Sequence, residues 1–145
     1  MDGNEPVPAM DTAAKNVEPE LVILVAEDVC VNMMLTKVLL SKLFHNPVIL
    51  EAENGKVAIQ KYRDFNPDLV LMDVQMPEMD GFEATIEIRK LERASGRHVP
   101  IIALTAAAMK EEMEKCYEVG MDDYITKPVD MKKLKAILER YSRNG

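Results

Sequence analysis

Polar residues of complementary kind stand where the apolar runs of this chain stop. "LVILVA" (21–26) runs into Glu27-Asp28 and "LVLM" (69–72) into Asp73, while "PIIALT" (100–105) ends on Thr105 and "DYIT" (123–126) is followed by Lys127. A segment as apolar as Leu69-Val70-Leu71-Met72 reads as a strand buried on both faces, so a carboxylate at its end carries a desolvation cost that needs compensation. Three acids gathered together would also repel one another. A divalent cation answers both difficulties, and carboxylates with room for water are the ligands that Mg2+ or Mn2+ prefers. Acids, a divalent metal, a hydroxyl and an ammonium suit phosphoryl transfer, in which a carboxylate can be the nucleophile and cations neutralise charge on the transferred oxygens.

For these residues to meet, the elements carrying them must share one rim. A short apolar run, a turn and a helix-like stretch recur five times, with runs at 21–26, 48–52, 69–72, 100–105 and 123–126. Helical segments are expected near 31–44, 55–65, 82–94, 106–119 and 130–142. Strands alternating with helices imply right-handed crossovers and an α/β fold, a doubly wound, five-stranded parallel sheet. The second run, "VILEA", mixes in a glutamate and is the expected edge strand. In such a sheet the carboxyl ends of the strands lie together and ligands bind in the crevice there. Glu27, Asp28, Asp73, Thr105 and Lys127 therefore converge, although about 100 positions separate the first from the last.

Composition narrows the function. The chain has 145 residues, 48% hydrophobic and 30% charged, enough for one domain with a soluble surface. Residues 1–19 hold three prolines and several acids without apolar periodicity, and read as a flexible linker or a remnant of cloning ahead of a domain over 20–145. A net charge of −7 argues against nucleic-acid binding and for a protein partner. No apolar run approaches the ~20 residues of a membrane span and no secretory signal is visible, so the expected location is cytoplasmic. Cys30 and Cys116 have no metal or redox spacing and suggest a reducing compartment. There is no GxxxxGK[ST] loop or Gly-rich dinucleotide turn, so nucleotide hydrolysis is not expected. A phosphatase of haloacid-dehalogenase type would carry a second acid two residues past its nucleophile, where this chain has Gln75.

"VAED" (25–28), "LMDVQMPEMDG" (71–81), "PIIALTAAAM" (100–109) and "GMDDYITKPVD" (120–130) together resemble the receiver domain of two-component signalling, over about residues 21–143. The resemblance implies the flavodoxin-like strand order 2-1-3-4-5. It implies that Asp73 takes a phosphoryl group from a phosphohistidine, catalysing only its own phosphorylation and dephosphorylation. It further implies Mg2+ (or Mn2+) on Asp28, Asp73 and the Gln75 backbone carbonyl, with Glu27 acting through water. Lys127 would pair with Asp73 and then with the phosphate, the Thr105 hydroxyl would turn to the phosphate, and Tyr124 would report that movement. Small Ala106 would leave the donor a path, and a cis Lys127-Pro128 bond would aim the lysine. Pro77 presets and Gly81 permits a turn that places Gln75.

"IIALTAAAM" and "CYEVGMDDYITKPV" look most like receivers of hybrid histidine kinases, although those commonly carry Asn where Val29 stands. No helix-turn-helix or catalytic output segment follows the last helix, so a detached receiver, expected to be monomeric, is the simplest reading. A stand-alone regulator acting by direct partner binding and a phosphate-independent interaction module are the alternatives. The first helix carries more apolar residues than one stripe can bury. Leu35, Leu39 and Leu43 are expected to face the sheet, leaving Val31, Met34 and Val38 exposed as a docking face for a histidine kinase or histidine phosphotransfer protein.

Overall fold

A computed structural model describes residues 21–141. The expectations for residues 1–19 lie outside the described residues. Five strands, β1 (Val22–Ala26), β2 (Val48–Ala52), β3 (Leu69–Asp73), β4 (Ile101–Thr105) and β5 (Asp123–Thr126), alternate with five helices. The helices are α1 (Cys30–Leu43), α2 (Gly55–Phe65), α3 (Gly81–Ser95), α4 (Lys110–Val119) and α5 (Met131–Tyr141). All strand pairs are parallel, in the order β2-β1-β3-β4-β5. "VILEA" is an edge, as its glutamate suggests.

Strand alternation divides the interior into two layers. Leu24, Ala26, Val70, Met72, Ile101 and Ala103 point to one face, which α2, α3 and α4 cover. Ile23, Val25, Leu69, Leu71, Ile102 and Leu104 point to the other, which α1 and α5 cover. Successive side chains of β3 thus enter opposite cores, which is why its sequence is apolar throughout rather than alternating. Local signals start two of the helices. Asn54 accepts from the Val57 N–H at 2.9 Å to cap α2, and Asp80 with Glu83 forms a reciprocal capping box on α3.

Two expectations about helices need correction. In α1 the residues buried against the sheet are Met33, Thr36 and Leu40, at spacings of three and four. Leu35 is exposed, and Leu39 and Leu43 are only half-buried at the edge of the α1/α5 core. Apolar residues surround this helix, so its own periodicity does not set its rotation. Packing against the sheet and α5 does. Val31, Met34 and Val38 are exposed, and Leu35 joins them.

The second correction concerns α4, which begins at Lys110 and not at Ala106. The Thr105 hydroxyl donates to the Ala107 carbonyl at 2.9 Å, holding Ala106 in a bend that competes with helix.

The site at the carboxyl rim of the sheet

Asp73 ends the central strand β3, flanked by β1 and β4. Its carboxylate and that of Glu27, just past β1, are both buried, whereas Asp28 is exposed beside them. One carboxylate oxygen from each of the three lies within 4.8 Å of the others. Asp28 and Asp73 border a cleft of about 500 Å³ whose walls also include Gln75, Pro77, Ala106 and Lys127.

Lys127 reaches into this cluster from the end of β5. Its ammonium lies 2.6 Å from Asp73 Oδ2 and 3.0 Å from Glu27 Oε1. The compensation that the sequence assigned to a metal alone is therefore shared by an ammonium of the chain itself. Two backbone donors complete the arrangement: the Gln75 N–H donates to Asp73 Oδ1 at 2.9 Å, and the Val29 N–H to Glu27 Oε2 at 3.1 Å. Burial pushes the Asp73 carboxyl up to about 6, against the pull of Lys127 and the Gln75 N–H. For Lys127, burial alone would lower the ammonium, but the bonds to Asp73 and Glu27 hold it above its usual range. The acid is thus ionised near neutrality, yet closer to protonation than a surface aspartate.

The backbone positions these groups. The Lys127 N–H donates to the Thr105 carbonyl at 2.7 Å, and the Lys127-Pro128 peptide is cis, as expected. Gly81 serves differently from expectation. A Cβ there would lie 2.2 Å from the Asp73 carbonyl oxygen, so glycine is required by the close approach of α3 to β3 and not by a left-handed turn. In the loop between them, Glu78 takes φ of 65° and the Met79 N–H donates to the Pro77 carbonyl at 2.6 Å. Met79 in turn accepts from the Gly55 N–H at 2.8 Å, which pins the loop carrying Gln75 to the start of α2.

Thr105 is fully buried at the end of β4, where Leu104 is in register with Asp73. Its hydroxyl donates to Ala107, as above, and also contacts Glu112 of α4. The sequence reading missed Glu112 because its only local signal is an acid in a first turn, which needs no special explanation. Tyr124 lies half-buried on β5 against the α2/α3/α4 core. Ala106 is exposed at the mouth of the cleft.

Oxygen donors at this separation fit a small hard cation such as Mg2+ or Mn2+. Glu27, Asp28 and Asp73 could hold it, with the Gln75 backbone lining the same cleft.

A doubly wound sheet in this strand order, with acids, a hydroxyl and an ammonium gathered at its carboxyl rim, defines the class of receiver domains of two-component signalling. The family model of the response regulator receiver domain matches residues 23–139, and the chain belongs to that family. It is 45% identical over 121 residues to "Hybrid signal transduction histidine kinase I" of Dictyostelium discoideum, a match covering 80% of this chain and 7% of that protein. Over 65 residues, 45% of the chain, it is 60% identical to "Histidine kinase 1" of Arabidopsis thaliana, covering 5% of it. The chain spans only a small part of the length of the curated relatives it matches. A solved receiver domain of a Pseudomonas aeruginosa sensor histidine kinase, with magnesium coordinated in its active-site cleft, is 37% identical with a TM-score of 0.75, covering 85% of this chain and 98% of that one. The Saccharomyces cerevisiae receiver domain of Ssk1, solved with the phosphotransfer protein Ypd1, is 30% identical with a TM-score of 0.77, covering 86% and 90%. No described helix is long and apolar enough to cross a membrane.

Proposed function

We propose that this receiver domain takes a phosphoryl group from a phosphohistidine onto Asp73, with Mg2+ (or Mn2+) as cofactor. The observation that carries the reading is the convergence of Glu27, Asp28, Asp73 and Lys127 in one cluster, the last three of them lining an open cleft. An Asp73 carboxylate oxygen attacks phosphorus in line, an O–P bond forms, and the P–N bond to the histidine breaks with its electron pair returning to the imidazole. Asp28, Asp73 and the Gln75 carbonyl would hold the metal, and Glu27 would act through a water. The bound cation supplies charge neutralisation for the phosphoryl oxygens. Lys127 supplies the second positive charge, moving from the carboxylate to a phosphoryl oxygen. Exposed Ala106 leaves the approach to Asp73 open. After transfer, the Thr105 hydroxyl turns to the phosphate and Tyr124 follows on the adjoining strand.

The partner in this reading is a histidine kinase or histidine phosphotransfer protein. Its helical surface meets Val31, Met34 and Val38 of α1, an exposed apolar stripe that starts three residues beyond Asp28. The test is incubation with labelled phosphohistidine donors in Mg2+. Wild type should take up label and Asp73→Asn should not, because an amide cannot form the acyl phosphate. Label retained on that variant would refute the assignment.

A further inference from the structure

A threonine hydroxyl has a single proton to donate, and here two acceptors already compete for it. Thr105 Oγ1 lies 2.9 Å from the Ala107 carbonyl and in contact with a Glu112 carboxylate oxygen. Glu112 belongs to the first turn of α4, whose other anchors are Cys116 with half-buried Met113 and Val119, and Lys115 over the Phe82 ring. The N-cap, Met109, gives no side-chain cap, and Cys116 is the one buried residue of the helix. Among the described residues, the contact with Thr105 is the one side-chain hydrogen bond that α4 makes to the sheet.

We infer that Glu112 is a positioning residue: it holds the Thr105 hydroxyl away from Asp73 in the unphosphorylated domain and ties α4 to the same proton that the phosphate must claim. The inference rests on Asp73 being the phosphoacceptor. A phosphoryl group there brings new anionic acceptors beside β4. The hydroxyl can satisfy only one of them. When it turns to the phosphate, Glu112 loses its donor and the first turn of α4 loses its tether. Occupancy of Asp73 is thereby converted into loosening of one particular helix, and Glu112 opposes that occupancy in proportion to the bond it makes.

The alternative role for Glu112 is a first-turn acid that only favours the helix dipole. A double-substitution cycle separates the two, with beryllium fluoride plus Mg2+ as the phosphoryl mimic on the full chain. Glu112→Ala should bind the mimic ~3–10-fold more tightly than wild type, the scale of one exchanged hydrogen bond to a charged group. Glu112→Gln, which keeps an acceptor without its charge, should fall between and serves if the alanine variant folds poorly. In a Thr105→Ala background Glu112→Ala should change nothing, because the competed proton is gone. Amide exchange at the first turn of α4 should rise on adding the mimic to wild type and stand already raised in Glu112→Ala. Equal affinity in both Glu112 variants, or the same gain without the Thr105 hydroxyl, overturns the inference. A wild type that fails to bind the mimic, or an Asp73→Asn variant that still binds it, overturns the phosphoacceptor reading and this inference with it.

Discussion

Asp73→Asn removes a charge that the folded chain holds unwillingly, so without metal it should stabilise the domain. Burial raises the Asp73 carboxyl from 3.8 to about 6. At about 1.4 kcal/mol for each pH unit, this corresponds to ~3 kcal/mol lost when the group ionises in the folded state. An asparagine has one oxygen for the two donors that Asp73 receives, Lys127 and the Gln75 N–H, and the lost bond trims the gain to ~2 kcal/mol. Lys127 is not left alone, since Glu27 remains 3.0 Å away. In a domain of this size ~2 kcal/mol raises Tm by ~6–10 °C. The sign follows from the direction of the shift. A raised folded-state pKa means that the stabilising contribution of Asp73 is fully present below 3.8 and lost as pH rises through about 6. The gap between variant and wild type should therefore be open at about pH 7.5 and close toward about pH 4. Saturating Mg2+ should also close it, because metal at ~100-fold its Kd adds ~2.7 kcal/mol to the wild type, and far less to a variant without that carboxylate. Thermal and urea unfolding in chelator, at both pH values and with Mg2+ added back, measures all of this. A variant no more stable than wild type in chelator at neutral pH, or a gap that widens on acidification, would refute the reasoning.

Mg2+ titration should show Asp28→Asn losing ~10-fold or more in affinity and Glu27→Gln losing less, since Asp28 is exposed to the cation while Glu27 already holds Lys127. Equal losses would count against the division of roles. Leu40→Ala should cost ~2–5 kcal/mol in urea unfolding because Leu40 is fully buried, whereas Leu35→Ala should cost under ~1 kcal/mol. Val29 is the N-cap of α1 and makes no side-chain cap, so Val29→Asn should add ~1 kcal/mol of stability by the same measurement. Met34→Glu and Val38→Lys should slow transfer from a protein donor and leave phosphorylation by a small phosphodonor unchanged, a contrast lost if the stripe belongs to the fold.

Strand-helix alternation, the edge position of "VILEA" and the gathering of Glu27, Asp28, Asp73, Thr105 and Lys127 at one rim were legible from the amino-acid order. Each depends on local apolar patterning plus the handedness of crossovers, which leaves a parallel sheet few arrangements. What the order could not decide were choices among partners distant in the chain. Leu40 rather than Leu35 faces the sheet because neighbouring layers, not the helix, set the rotation of an all-round apolar α1. Gly81 is needed because α3 meets the Asp73 carbonyl, an approach visible only once both are placed. Glu92 is a second buried acid, satisfied by the Tyr62 hydroxyl at 2.8 Å, the Val99 N–H at 2.7 Å and Arg89 at 2.5 Å, and nothing in its neighbours along the chain announced it. The same holds at the site. An acid and a lysine 54 positions apart can be read as future neighbours from their strand ends, but only packing brought the ammonium between two carboxylates and laid Glu112 against Thr105. Hydrogen bonds and ion pairs act over a few ångströms, so they are decided only by where the folded backbone leaves each side chain.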